Sequence, residues 1–327
     1  MKRIEAAILR TVLYGDVFHF PMTVPEIHHF LIDDESASLE AVQDTLMHSE
    51  VLPTWLHMER GYVMYGQQPD LIELRLTREA ASTKLWPLAQ AYGRWLARLP
   101  FISMIALTGA LAMRNAAAGD DDLDYLVITS PGRVWLARAF TIIMVRLARL
   151  RGVMLCPNYL LDESNLMQHD RNSFMAHEIV QMLPLYGEPL YRQMRTENDW
   201  TRAYLPNANE PFYPAELYHM GWGWRMVKRL GEFLLSGAIG DRLEHWEYQR
   251  KLRRFAPDMQ IPHSSARLDE TQVKGHFSDH GHPALQRYYE HLRACGLGDV
   301  GDGIAENEVD SGVGAVSKTP YNASIRQ

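Results

Sequence analysis

Two carboxylates separated by one residue, Asp122 and Asp124, stand at the start of an apolar run that continues to Ile128. Side chains alternate across a strand, so a strand over Asp122–Thr129 places both carboxylates on one face, with Cα atoms about 6.5–7 Å apart. Carboxylate oxygens are ligands of Mg²⁺, which usually keeps water or substrate phosphates as the rest of its shell. The pair therefore predicts a site for one or two Mg²⁺ ions, although an acidic turn that merely caps a strand is the alternative.

A glycine turn precedes this pair. Thr108-Gly109-Ala110 follows the apolar segment that ends at Leu107 and predicts the start of a short helix. Backbone N–H groups at such a turn can bind phosphate, which makes these three residues candidate nucleotide-binding residues. Arg114 follows about one turn later and could donate two hydrogen bonds to a phosphate oxygen, with an orientation toward solvent equally open.

The combination of Gly109, Ala110, Asp122 and Asp124 resembles the signature of the DNA polymerase β-like nucleotidyltransferase superfamily. That signature is a hydrophobic residue, Gly, then Gly or Ser, a short spacer, and Asp-x-Asp on a hydrophobic strand. The wider layout is similar to a group of bacterial nucleotidyltransferase-like proteins with an N-terminal winged helix. The resemblance implies Mg²⁺-dependent transfer of a nucleoside monophosphate from an NTP to an acceptor, with Asp122 and Asp124 as catalytic metal ligands.

Two departures from the family pattern favour a second hypothesis. Ala110 lacks the hydroxyl that the family's Ser offers to the triphosphate. The next predicted strand, Val153–Leu161, has Asn158 where a third carboxylate is expected, and an amide cannot take a proton. Asp162 and Glu163 follow in an undetermined register. The alternative function is therefore a catalytically inactive binding or regulatory protein that acts through protein partners.

Composition narrows the class of protein. The chain has 327 residues, 46% of them hydrophobic, which predicts two or three domains with a substantial core. Cys156 and Cys295 are the two cysteines, too few for a disulfide framework, so we expect a reducing, cytoplasmic environment. The apolar run at 134–145 is interrupted by Arg138 and is too short to cross a bilayer. It predicts a helix packed on the sheet, with a membrane-surface helix as the alternative.

The N-terminal residues 1–70 predict a winged-helix-like module, in which Thr23 and Glu26 form the capping box of the second helix. This segment has four basic and eleven acidic residues, and its third helix contains Glu40 and Asp44 but no Lys or Arg. Affinity for DNA depends on cationic contacts to phosphates, so we do not expect this segment to bind DNA. The module is interpreted as a site of protein contact or self-association. Its predicted elements are helices at 4–15, 23–31 and 38–48 and a hairpin formed by 51–56 and 61–65.

Together with the rest of the chain, these elements predict an α+β fold. We expect a helical connector at 71–98, a nucleotidyltransferase core at 99–165, a helical region at 166–295 and a disordered tail at 296–327. The core is predicted as a small mixed sheet with helices on one side. A polar segment has the spacing of metal ligands, although a surface turn is the favoured interpretation; its residues are His276, Asp279, His280 and His282.

Overall fold

The computed structural model describes residues 1–255, 267–274, 281–298 and 300. Its first 70 residues form the three predicted helices and a small antiparallel sheet. The predicted hairpin strand at 51–56 is wrong, because Leu52–Thr54 form a 3-10 helix and the strand is Leu56–Glu59; a short strand at Met22–Thr23, which was not predicted, completes the sheet. The sheet has the strand order β1-β3-β2. The elements are α1 (Arg3–Val17), β1 (Met22–Thr23), α2 (Val24–His29), α3 (Leu39–His48), β2 (Leu56–Glu59) and β3 (Tyr62–Tyr65).

The predicted capping box of α2 is confirmed. The Thr23 hydroxyl accepts a hydrogen bond from the backbone N–H of Glu26 at 3.4 Å, and the Glu26 carboxylate accepts one from the backbone N–H of Thr23 at 2.8 Å. Glu26 also forms a buried ion pair with Arg75, at 2.7 Å, and accepts a hydrogen bond from the Tyr213 hydroxyl at 2.5 Å. Because Arg75 lies on the long helix α4 (Asp70–Ala97), this pair fixes the N-terminal module to the rest of the chain.

A six-stranded sheet forms the centre of the molecule, in the order β7-β4-β5-β6-β9-β8. The pair β5–β6 is parallel and every other neighbouring pair is antiparallel, which confirms a mixed sheet in an α+β protein. The strands are β4 (Ile102–Leu107), β5 (Leu123–Thr129), β6 (Leu155–Asp162), β7 (Leu183–Tyr186), β8 (Arg267–Leu268) and β9 (Gln272–Lys274).

Helices cover both faces of this sheet, so the expectation of helices on one side is wrong. Alternate residues of β5 belong to two separate cores: Tyr125 and Val127 pack with residues of α4 and α6, while Leu126 and Ile128 pack with residues of α7 and α8. The remaining helices are α5 (Gly109–Ala112), α6 (Val134–Arg149), α7 (Ser173–Gln181), α8 (Glu188–Glu197), α9 (Trp222–Leu234), α10 (Ala238–Phe255) and α11 (Gly281–Ala294).

The region at 166–295 is not purely helical, which corrects the prediction, since β7, β8 and β9 complete the sheet. β7 contains Pro184 and lies at an edge, where a missing N–H is tolerated. β8 and β9 contain two and three residues, too few for a periodic pattern to show. The N-terminal module, in turn, shares its core with α7 and α11.

Two predicted segments lie wholly or mainly outside the described residues. The tail at 296–327 is described only at 296–298 and 300, and of the His-rich segment only His282, in α11, is described. Each helix of the described chain is either too short or too polar to cross a membrane.

Candidate functional site

The predicted motif residues come together where β4 ends and β5 begins. β5 starts at Leu123, so Asp122 is exposed just before the strand and Asp124 is half-buried within it. β4 runs antiparallel to β5, and the backbone N–H of Thr108 donates to the carbonyl of Asp124 at 3.0 Å. The pairing places the glycine turn beside Asp124, as the motif predicts, whereas Asp122 lies before the strand instead of within it and does not line the cavity described below.

Gly109 packs directly against the Asp124 carboxylate. Its φ is +66°, and a Cβ added there would lie 2.4 Å from Oδ2 of Asp124. Both the backbone conformation and the space therefore require glycine. Gly109 also begins α5, and the first N–H groups of a helix have no acceptor within the helix. The turn thus offers backbone donors next to a carboxylate, with half-buried Thr108 and exposed Ala110 on either side.

Asn158 of β6 occupies the other side of Asp124, where its Nδ2 donates to Oδ1 at 2.7 Å. Burial raises the pKa of Asp124 to about 7; the Asn158 hydrogen bond opposes this shift and the charge of Asp122 adds to it. The Asp124 carboxyl group therefore changes between its protonated and ionised forms near neutral pH. With the Asn158 amide turned over, two oxygens would face each other, an arrangement that a cation between them stabilises.

A cavity of about 250 Å³ opens beside these groups, with Asp124, Gly109 and Asn158 in its wall. Two further charged residues line it, Glu178 of α7 and Lys274 of β9. Burial raises the pKa of Glu178, and the positive charge of Lys274 only partly opposes this rise. The cavity thus combines carboxylates, a cation and backbone amide donors, which is a suitable set for a polyanion that arrives with a divalent metal.

The two acids that follow β6 are placed elsewhere. Asp162 pairs with Thr129 at the far end of β5, about 17 Å from the level of Asp124. Its carboxylate accepts hydrogen bonds from the backbone N–H groups of Gly132 and Ser164, and Glu163 accepts one from the Ser103 hydroxyl. Neither acid reaches Asp124, so Glu178 is the candidate for a third carboxylate.

Sequence reasoning missed Glu178 and Lys274. Glu178 is the single acidic residue of α7, a helix whose other side chains are mostly apolar. A lone acid in a helix that packs on a sheet is the signal that points to it. Lys274 ends a three-residue strand and has no comparable signal.

Arg114 lies away from the cavity. It has a φ of +54°, and its guanidinium stacks over the Tyr213 ring, 4.5 Å from the ring centroid. It does not line this cavity, whereas Thr108 and Gly109 do. Its role as a phosphate ligand stays a prediction, and one that requires the side chain to leave Tyr213.

A second cavity of about 250 Å³ adjoins the first on the side of the N-terminal module. The two share Gly109, Phe174 and Glu178 in their walls, and Ala110 lines the second. The module contributes mainly aromatic side chains, which could stack on a planar group. They are Tyr14, Phe18, Phe20 and Phe30.

The donor set fits a metal ion only in part. Within the described residues, no three His, Cys, Asp or Glu side chains are grouped closely enough to hold an ion by themselves. Asp124 and the exposed Asp122 could supply two hard ligands, and Mg²⁺ commonly takes its remaining ligands from water and substrate phosphates. The residues present therefore fit an ion that binds together with a nucleotide.

Comparison with known proteins adds no relative: no family model, no curated protein and no solved structure matches this chain. The residues and their geometry are therefore the basis for the function proposed below.

Proposed function

We propose that the protein is a Mg²⁺-dependent nucleotidyltransferase that moves a nucleoside monophosphate from an NTP to an acceptor. The observation that carries this proposal is the contact of the Gly109 backbone with the Asp124 carboxylate in the wall of one cavity. A phosphate cradle beside a metal-binding carboxylate is what transfer of a nucleotidyl group requires.

Each residue has a proposed role. Asp122 and Asp124 would hold the metal, which would supply positive charge to stabilise the negative charge that develops at phosphorus. The amides of Gly109 and Ala110, at the turn that Thr108 begins, donate to the triphosphate, and Lys274 in the wall of the cavity balances its negative charge. Glu178 takes the proton of the acceptor hydroxyl as the acceptor oxygen bonds to the α-phosphorus and pyrophosphate leaves, because burial raises the pKa of Glu178 and makes its carboxylate a stronger base.

Transfer of label tests the proposal. The wild type, the Asp122→Asn/Asp124→Asn variant and an Asp120→Asn control are incubated with each α-labelled NTP and Mg²⁺ in host lysate. Asp120 is an exposed acid in the same turn, so its variant controls for the loss of negative charge. We expect labelled product from the wild type and the control alone. Equal labelling by all three proteins, or none by any, would refute the proposal.

A second function is favoured by the hydrogen bond between Asn158 and Asp124, which uses a carboxylate oxygen that a metal would need. With Ala110 in place of a hydroxyl-bearing residue, it supports a binding or regulatory protein without turnover. Replacing both Asp122 and Asp124 by Asn in the host separates the two functions. Loss of the phenotype favours the enzyme, and full retention favours the scaffold.

We propose that residues 1–70 are a winged-helix-type module that contacts a protein partner or a second copy. α3, the helix that reads DNA in such modules, exposes Glu40, Gln43 and Asp44 and buries only Val42. Salt-sensitive DNA binding in a gel-shift titration would contradict this. Two free cysteines agree with our proposal of a cytoplasmic location.

A further inference from the structure

The helix α9 exposes most of its large apolar side chains to solvent, whereas two of its charged side chains, Lys228 and Glu232, face the protein. Trp222 is 74% exposed and Phe233 75% exposed, whereas Lys228 is 9% exposed. Isolated exposed apolar residues are common, but a continuous face of large ones marks an interaction site. We define the apolar face of α9 as Trp222, Met226, Val227, Leu230, Phe233 and Leu234.

Specific polar contacts fix this orientation. Nζ of Lys228 donates to the carbonyls of Ala97, at 2.9 Å, and Ile102. The Glu232 carboxylate accepts a hydrogen bond from the backbone N–H of Phe101 at 3.0 Å. Turning the helix over would leave these buried groups unpaired, which is costly, so the apolar face is held outward by the fold itself.

Exposed apolar residues continue into α10, where Ile239, Leu243 and Trp246 are exposed at helical spacing. The charges beside them are almost all positive. Across α9 and α10, which the structure describes throughout, Asp241 is the one exposed acid and it pairs with Arg133. The exposed cations are Arg225, Arg229, Arg242, Arg253, Arg254 and Arg250, the last of which pairs with buried Glu247.

We propose that the apolar face of α9 docks on an anionic membrane surface, with the helix lying in the plane of the interface. Tryptophan side chains favour the boundary between lipid and water, and arginines at the edge of an apolar face contact anionic headgroups while their stems stay in apolar surroundings. This inference is independent of the proposed nucleotidyl transfer.

The charge distribution argues against a second copy as the occupant. In a two-fold contact the same patch lies on both sides, so the arginines of one copy would face those of the other. Like charges opposed across an interface disfavour association. An anionic bilayer complements both the apolar side chains and the positive charge.

A second segment has the same composition. The end of α6 exposes Ile143, Leu147 and Leu150, and Arg146, Arg149 and Arg151 are interspersed with them. The first half of this helix is buried against the sheet. The sequence predicts a helix packed on the sheet, with a membrane-surface helix as the alternative. The first half of α6 is packed on the sheet, and its exposed second half is a candidate second contact with the membrane.

Vesicle co-sedimentation of the full chain tests the proposal. The probes are vesicles of phosphatidylcholine alone and of phosphatidylcholine mixed with phosphatidylglycerol. We expect binding to the mixed vesicles that weakens with salt. The Leu230→Gln/Phe233→Gln variant should bind at least about tenfold more weakly. Arg225→Gln/Arg229→Gln should lose about fivefold per arginine on the mixed vesicles.

A matched control is Met47→Gln, which removes an exposed apolar side chain from α3 and should bind like the wild type. Circular dichroism checks that each variant is folded. Failure of the wild type to bind mixed vesicles would overturn the proposal, as would unchanged binding of Leu230→Gln/Phe233→Gln. A dimer in sedimentation that this variant abolishes, without vesicle binding by the wild type, would assign the face to a second copy instead.

Discussion

The cavity at Asp124 and the apolar face of α9 depart in opposite directions from the usual placement of side chains. The cavity holds carboxylates whose pKa values are raised by burial, while the helix exposes aromatic and aliphatic side chains. Both arrangements disfavour the free protein, and we expect each to be relieved by its proposed ligand, a cation with phosphates in one case and lipid in the other. Buried polar groups and exposed apolar faces are therefore the features of this chain that bear on function.

The largest expected effect comes from closing the space beside Asp124. Gly109→Ala places a Cβ against Oδ2 and forces a left-handed conformation on alanine, so we expect the amount of transferred label to fall at least about 100-fold. Backbone strain should cost about 1–3 kcal/mol of unfolding free energy as well.

Gly119→Ala is the matched control for this substitution, because a Cβ there meets no atom within 4 Å. It should leave the transfer of label unchanged. If Gly109→Ala transferred label as fast as the control, the close contact with Asp124 would have no functional meaning.

Asp124 should make stability fall as pH rises. Its pKa is about 7 in the folded protein against 3.8 for the ordinary group, so the folded state binds more protons between these values. The loss accumulates from about pH 4 to pH 7 and reaches up to about 4 kcal/mol above that range. Asp124→Asn should unfold at higher denaturant than the wild type at pH 8 and show a flatter profile.

Mg²⁺ bound together with a nucleotide should reverse this trend, since the cation favours the ionised carboxylate. Thermal unfolding with and without Mg²⁺–NTP at pH 5 and pH 8 measures the effect. A stabilisation equal at both pH values, or one that persists in Asp124→Asn, would contradict a metal role for Asp124.

Lys228, on the buried side of α9, should make stability change with pH in the opposite direction to Asp124. Burial lowers its pKa from 10.5 to about 8, so the unfolded state binds more protons between these values and stability rises with pH there. Lys228→Met should abolish this rise and cost about 1–3 kcal/mol, because two buried carbonyls lose their donor. Lys84→Met, at an exposed position of α4, is the control that should change neither.

The smallest effect is expected on the outer side of the same helix. Without lipid, Leu230→Gln/Phe233→Gln should change the free energy of unfolding by no more than about 0.5 kcal/mol, as exposed substitutions usually do. Urea unfolding in lipid-free buffer measures it. A destabilisation above about 2 kcal/mol would mean that this face is packed in solution.

Local patterns account for what the sequence predicts well. The capping box of Thr23 and Glu26 and the placement of Gly109 beside Asp124 follow from spacings of a few residues and from the pairing of β4 with β5. Glu178 reaches the same cavity from a helix more than fifty residues further along, which no local pattern encodes. Tertiary contacts likewise determine that the segment around Pro184 forms an edge strand. They also determine that the Lys228 side chain faces the protein, where its partners are backbone carbonyls.

Calorimetric titration of the purified protein with each NTP, with and without Mg²⁺, tests the central claim most directly. We expect Mg²⁺-dependent binding to the wild type and to Asp120→Asn, and its loss in Asp122→Asn/Asp124→Asn. Absence of binding of any NTP to the wild type would contradict the proposed nucleotidyl transfer, and so would binding that survives the loss of both carboxylates.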